Sequence, residues 1–125
     1  MEKLQKKIFL ICPVREVTPD ERRFLDEYVT KLEAEGYRVY YPPRDTNQND
    51  KIGLNICMQN RQGIIDCNEV HVYWNGKSSG SKFDFGMAFM AGKPIRLIRR
   101  NMVQRTPYKS FENVLLELDK QARNG

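Results

Sequence analysis

The chain has a single histidine in 125 residues, His71, and three cysteines, Cys12, Cys57 and Cys67. Zinc sites draw several Cys and His ligands from short fixed spacings, which these residues do not offer, so no metal is expected. A Cys-His catalytic pair has equally little to be built from. An odd number of thiols also argues against a disulfide framework and reads as reduced core residues of a cytoplasmic protein. Long apolar runs are missing: the longest, Ile8 to Val14, falls far short of the ~20 residues a membrane-spanning helix needs. The basic start MEKLQKK leads into a short apolar stretch that contains Pro13 and ends at Arg15-Glu16, without a small-residue cleavage site. A secretory leader is therefore not expected. Repeats, low-complexity segments and linkers are absent, so 1–125 reads as one domain. There is little excess of either charge: 21 Lys+Arg against 16 Asp+Glu leave a formal +5. That surplus favours an anionic ligand slightly and does not make a nucleic-acid-binding protein.

What is present is a regular alternation of strand and helix signals. Ile8 to Cys12 is continuously apolar, as in a strand buried on both faces of a parallel sheet. Thr18-Pro19-Asp20-Glu21 starts a helix, with Thr18 as N-cap, Pro19 in the first position and Glu21 closing a capping box. Phe24, Leu25, Tyr28, Val29 and Leu32 then share one face, and Gly36 ends the helix. Tyr37 to Tyr41 predicts a second strand broken by Pro42-Pro43, and the polar stretch Arg44 to Lys51 predicts a surface loop. A second helix is expected over Leu54 to Cys67, with Leu54, Cys57, Ile64 and Ile65 inward and Gly63 permitting a close approach. A third strand over Val70 to Trp74, a loop over Asn75 to Ser81 and a third helix over Lys82 to Ala91 follow. Ile95 to Ile98 predicts the fourth strand. The last helix is expected from Tyr108 to Arg123, with Phe111, Val114, Leu115 and Leu118 as its stripe. The pattern predicts an α/β domain: a three-layer parallel sheet of four or five strands, flavodoxin- or Rossmann-like, with helices on both faces and right-handed crossovers.

Ligands of such sheets sit beyond the carboxyl ends of the strands. Three strand-to-helix loops gather there: Pro13-Val14-Arg15, Pro42 to Asp50 and Gly76 to Ser81. In the third, Ser78, Ser79, Gly80 and Ser81 lead into a helix. Its free amides and dipole either hold an anion or are capped by a solvated Gly/Ser turn. Asp84, one turn further on, is either an ordinary first-turn acid or, flanked by Phe83 and Phe85, a partly desolvated one fit to be a nucleophile or general base. Arg15 is either a bidentate phosphate partner or a surface arginine paired with Glu16. His71 reads as a packed strand residue. The four arginines from Arg96 to Arg105 are explained more simply by strand alternation and a solvated loop than by a nucleic-acid patch. For Tyr40, Tyr41 and Trp74, packing is the default over stacking on a base.

Four segments, taken in order, resemble the nucleoside 2-deoxyribosyltransferase superfamily, which includes nucleotide N-glycosidases acting on deoxynucleoside or cytidine 5′-monophosphates. They are Ile8 to Arg15, Gly36 to Arg44, Asn60 to Val70, and the most specific, Ser78-Ser79-Gly80-Ser81-Lys82-Phe83-Asp84-Phe85-Gly86 followed by Gly92-Lys93-Pro94-Ile95. The resemblance implies a deoxyribosyltransferase-like fold and chemistry at the nucleoside C1′. An acid expels the base and forms a glycosyl-enzyme ester that water or another base resolves. By position that acid is Asp84, where the family usually carries Glu. Ser78, Gly80 and the neighbouring Ser81 fall where the 5′-phosphate is held, Arg15 matches a phosphate-side residue, and Pro13 lies in the sugar-binding turn. Asn60 or Arg61 stands where the family often has an Asp that assists the leaving base. Transferases of the family tend to carry an acid at position 78, so Ser78 implies a 5′-phosphorylated ligand. The resemblance implies no cofactor. It does imply a homo-oligomer, often a dimer, whose partner completes the pocket, with Ser110 and the loop before it as candidates for that contribution. A non-catalytic nucleotide-binding or sensor module on the same fold is the alternative.

Overall fold

Four strands, β1 (Lys7–Ile11), β2 (Arg38–Tyr40), β3 (Glu69–Tyr73) and β4 (Ile95–Ile98), pair in parallel in the order β2-β1-β3-β4. The computed structural model describes residues 5–125. Among the described residues there are also five helices, α1 (Pro19–Ala34), α2 (Pro42–Asp45), α3 (Leu54–Asp66), α4 (Ser79–Met90) and α5 (Phe111–Asn124), with a 3₁₀ turn at Arg100–Met102. The strand order places a topological switch between β1 and β3, where the chain leaves the sheet centre in opposite directions and a crevice opens at the carboxyl ends.

Strand alternation divides the core. Ile8, Leu10, Tyr73 and Ile98 pack against Leu25, Val29 and Leu32 of α1. Phe9, Ile11, Val70, Val72 and Leu97 pack on the opposite side with Ile64 of α3 and Phe85 and Ala88 of α4. The predicted α/β architecture with helices on both faces is therefore the one observed, and the sheet has four strands.

Local chemistry explains the α1 boundaries. Thr18 Oγ1 accepts from the Glu21 amide at 3.0 Å while Glu21 accepts from the Thr18 amide at 3.1 Å, the reciprocal capping box. Gly36, at φ 99°, lets the Gly36 amide reach Glu33 O and the Tyr37 amide reach Leu32 O, satisfying two terminal carbonyls.

Several expected boundaries and faces differ. The segment after β2 is not wholly a loop, because Pro42 fits a helical first turn and α2 forms before the chain opens out. In α3 the buried residues are Asn60 and Ile64, whereas Leu54 and Ile65 are exposed. The helix turns Asn60 inward because its amide finds buried partners there, which an apolar periodicity does not register. α4 starts at Ser79, three residues before the predicted Lys82, since Ser78 caps it and thereby draws Ser79, Gly80 and Ser81 into its first turn. α5 likewise starts at Phe111 behind the Ser110 cap, leaves Phe111 and Val114 partly exposed, and buries Leu115, Leu116 and Asp119.

Gly63 does permit the expected close approach. A Cβ there would lie 3.0 Å from two ring carbons of Phe9 and 3.2 Å from Tyr40. Those rings are stacked on one another at 5.1 Å and have little room to yield. Gly63→Ala is expected to cost about 1–3 kcal/mol by overpacking, read as a lower urea midpoint at unchanged slope.

Candidate active site

A cleft of about 630 Å³ opens at the carboxyl ends of β1, β2 and β3. Its walls are the turn after β1, the loop between α2 and α3, the loop after β3 and the first turn and a half of α4. Arg22 of α1 fixes the first wall by donating to Val14 O at 3.3 Å and to the Tyr41 hydroxyl at 2.8 Å. Tyr41 in turn donates to Asp26 at 2.7 Å, so its ring is locked and buried. On the second wall, Asp50 accepts from the Ile56 amide at 3.0 Å, and backbone donors hold its carboxyl below the ordinary range. Asp50 therefore serves as the cap of α3, whose own N-cap, Gly53, has no side chain to do so.

The third wall is built around Asn75, which the sequence reading passed over. Its Oδ1 accepts from the Lys77 amide at 2.8 Å and the Ser78 amide at 3.2 Å, curling the chain into α4. An Asn three residues before the serine that caps a Ser-rich helix start is the signal that could have found it. Ser78 Oγ then accepts from the Ser81 amide at 3.1 Å. The amides of Ser79 and Gly80 are left without a partner among the described residues, and both residues line the cleft at the positive end of the α4 dipole. Pro13, Arg15, Ser78 and Gly80 all line the same cleft, as does Asp84. Ser81 does not: it is buried in the first turn, and its hydroxyl has no hydrogen-bond partner.

Asp84 is 8 % exposed, and burial pushes its carboxyl up to about 7, opposed by one hydrogen bond that favours the charged form. The donor is Asn60 Nδ2, at 3.3 Å from Asp84 Oδ2. Asn60 also lines the cleft, and its Oδ1 accepts from the Thr46 hydroxyl at 2.7 Å. Arg61, the other residue aligned with the base-assisting acid, is exposed and lies outside the lining. Cys12 reaches the cleft too, but burial pushes its thiol up to about 12, so it stays protonated and does not compete as a nucleophile. A carboxyl poised near neutrality, beside free amides and the exposed Arg15, suits attack on an electrophilic carbon of an anionic ligand.

Other residues singled out in the sequence take structural places. His71 is buried between the Tyr28 hydroxyl at 2.6 Å and Glu69 at 3.0 Å. Trp74 is buried and donates to Glu112 at 2.7 Å, while Tyr40 stacks on Phe9. The arginine run is absorbed internally. Arg99 lies over the Phe24 ring at 3.8 Å, Arg100 pairs with Asp119 at 3.0 Å, Arg105 with Glu117 at 3.2 Å, and Arg96 approaches Glu69 at 4.0 Å. Ser110 spends its hydroxyl capping α5, accepting from the Asn113 amide at 3.1 Å. No helix among the described residues is long and apolar enough to cross a membrane. No group of three or more His, Cys, Asp or Glu side chains converges there as metal ligands would.

No family model matches the chain, and no curated protein sequence matches it. Solved structures do. The CMP N-glycosidase BcmB of Clostridium botulinum superposes with a TM-score of 0.60 over 90% of this chain and 82% of its own, at 19% identity. A 2-deoxyribosyltransferase of Bacillus psychrosaccharolyticus superposes with a TM-score of 0.62 over 87% of this chain and 90% of its own, at 15% identity. The fold is nucleoside deoxyribosyltransferase-like. At such identities the likeness establishes the fold, and the fold puts the cleft where α/β sheets carry ligands. In this deoxyribosyltransferase-like fold the buried carboxyl and the free amides of α4 belong to one helix, which fixes their mutual position.

Proposed function

We propose that the protein cleaves or exchanges the N-glycosidic bond of a nucleotide or nucleoside, with Asp84 as nucleophile and a 5′-phosphorylated ligand preferred. The observation that carries this reading is Asp84 itself, a desolvated carboxyl in the cleft of a fold shared with an N-glycosidase and a deoxyribosyltransferase. Ionised Asp84 attacks C1′, the C1′–N bond breaks, and its electron pair leaves with the base, which takes up a proton. The glycosyl ester on Asp84 is then attacked at C1′ by water or a second base, and the carboxylate is restored. The Ser79 and Gly80 amides, the Ser78 hydroxyl and Arg15 receive the phosphate, with Pro13 shaping the sugar side. Phe83 of α4 is exposed and lines this cleft, and Phe89 and Met90 are exposed further along the same helix. They support a homo-oligomer in which a second copy covers the exposed side of α4, a state that sedimentation analysis reads directly.

The test is release of free base from a panel of ribo- and deoxyribonucleoside 5′-monophosphates and their unphosphorylated nucleosides. Release is expected from a monophosphate, faster than from its nucleoside, and lower by about 10³-fold or more in Asp84→Asn. The rate should rise with pH through about 7 as Asp84 ionises. No release from any member, or release undiminished in Asp84→Asn, overturns the assignment. Asp84 is one methylene shorter than the Glu usual at this position, which favours a second reading, a nucleotide-binding module without turnover. Its mark is thermal stabilisation by a nucleotide, about 2.7 kcal/mol at a hundredfold excess over Kd, with no base released.

A further inference from the structure

Behind Asp84 runs a chain of side-chain hydrogen bonds drawn from three separate segments. Asn60 Nδ2 donates to Asp84 Oδ2 at 3.3 Å, and Asn60 Oδ1 accepts from Thr46 Oγ1 at 2.7 Å. Thr46 Oγ1 lies 2.7 Å from the Tyr40 hydroxyl. Asn60 Oδ1 has no proton, so the single hydroxyl proton of Thr46 is committed to it, and Tyr40 is left as the donor to Thr46. The sense of every bond is thereby fixed, from Tyr40 at the end of β2, through the loop after α2, to α3 and then α4. Thr46 and Asn60 are 4 % and 6 % exposed, so no bulk water competes for these groups. An Asn side chain is nearly symmetric in shape and flips easily between presenting its N–H and presenting its carbonyl. A flipped Asn60 would set a carbonyl against the Asp84 carboxylate and stabilise only the protonated acid. A flip would make Thr46 Oγ1 accept from Nδ2 and turn its proton to the Tyr40 oxygen, reversing the whole chain, and the phenol, a better donor than acceptor, opposes that reversal.

We propose that Thr46 and Tyr40 are positioning residues that lock Asn60 with its N–H toward Asp84, so that the ionised form of the carboxyl is favoured over the neutral one and is aimed. The catalytic consequence rests on the function proposed above; the effect on Asp84 itself does not. Other titratable groups lining the cleft with Asp84 are the protonated Cys12 thiol just after β1, Arg15 and Glu16 on the β1 turn, Asp50 and Lys51 on the loop before α3, Cys57 on α3, and Lys77 on the loop before α4. None of them donates a hydrogen bond to it; Asn60 does.

The experiment follows the Asp84 carboxyl carbon by NMR titration of the full chain labelled at aspartate, without nucleotide, with Asp84→Asn supplying the assignment. Thr46→Val removes the hydroxyl at nearly constant volume. Tyr40→Phe removes only the terminal donor and leaves the ring on Phe9, which guards against loss of the fold. Thr46→Val is expected to raise the Asp84 midpoint by about 1 pH unit, the worth of one hydrogen bond to a charged group. Tyr40→Phe should raise it less, and Thr46→Ser should restore it. An unchanged midpoint in both Thr46→Val and Tyr40→Phe, or an equal rise in Thr46→Ser, overturns the proposal. In the turnover arm, kcat of Thr46→Val should fall about tenfold at pH 6 and converge on wild type above pH 9, which mere loosening of the fold would not produce. If the wild-type protein releases no base, the proposed function falls while the titration still decides the relay.

Discussion

Asp84→Asn is expected to make the protein more stable as it makes it inactive, by about 4 kcal/mol above pH 8. Unfolded, the carboxyl ionises near 3.8; folded, burial defers this to about 7. Between those values the native state holds a proton that the unfolded state has already released. Stability contributed by the neutral acid is therefore complete below pH 4 and is lost as pH rises through 7. The gap of about three units, at about 1.4 kcal/mol each, sets the size of the effect. Asparagine keeps the shape, still offers an oxygen to Asn60 Nδ2 and does not titrate. Calorimetry should show coincident melting for the two proteins near pH 4 and a gain on the order of 10 °C for Asp84→Asn at pH 8. A gap that does not vary with pH, or an Asn variant less stable at pH 8, would contradict the desolvated state of Asp84. On the proposed function, the stability given up at this carboxyl is the cost of a reactive site.

Asp119→Ala should act in the opposite direction, lowering stability by about 3 kcal/mol or more. β4 is an edge strand, and its outer side would expose unpaired backbone groups. α5 covers that edge with side chains in place of a fifth strand. Asp119, 0 % exposed, accepts from the Leu97 amide at 2.8 Å, and Arg123 donates to Leu97 O at 3.3 Å. The second carboxylate oxygen holds Arg123 Nε at 2.9 Å and Arg100 Nε at 3.0 Å. Truncation strands a buried amide and removes the acceptor of two cations whose heads are half in water, so most of the loss comes from the amide. Asp119→Asn keeps the acceptor for Leu97 and should lose about half as much. Urea unfolding of both variants checks the ordering, and a loss under 1 kcal/mol in Asp119→Ala would mean that water enters and seals the edge instead.

Much of this was legible without coordinates because its causes are local. A continuous run such as Ile8 to Cys12 has no face to show water, and Thr18 with Glu21 closes a capping box within four residues. Ser78, Gly80 and Asp84 group together because they lie within seven residues at one strand-to-helix junction, which keeps them close in any fold. The start of α4 is not legible in the same way. Ser79-Gly80-Ser81 has loop composition, and only the position of Ser78 as a cap decides that the segment is helical. The phase of α3 departs from its apolar periodicity because Asn60 points inward to partners 14 and 24 residues away in sequence, at Thr46 and Asp84.

The sequence by itself determined the alternation of strands and helices, the parallel sheet and the helix on which the acid sits, all of them set by periodicity and capping over a few residues. Only the tertiary structure decided what kind of acid it is. Desolvation of Asp84 arises from the cleft walls and the side chains packed around it, and its one hydrogen bond comes from another helix, itself oriented by a loop and a strand end. A carboxyl's charge depends on which distant groups replace its water, and that is fixed when the segments pack together.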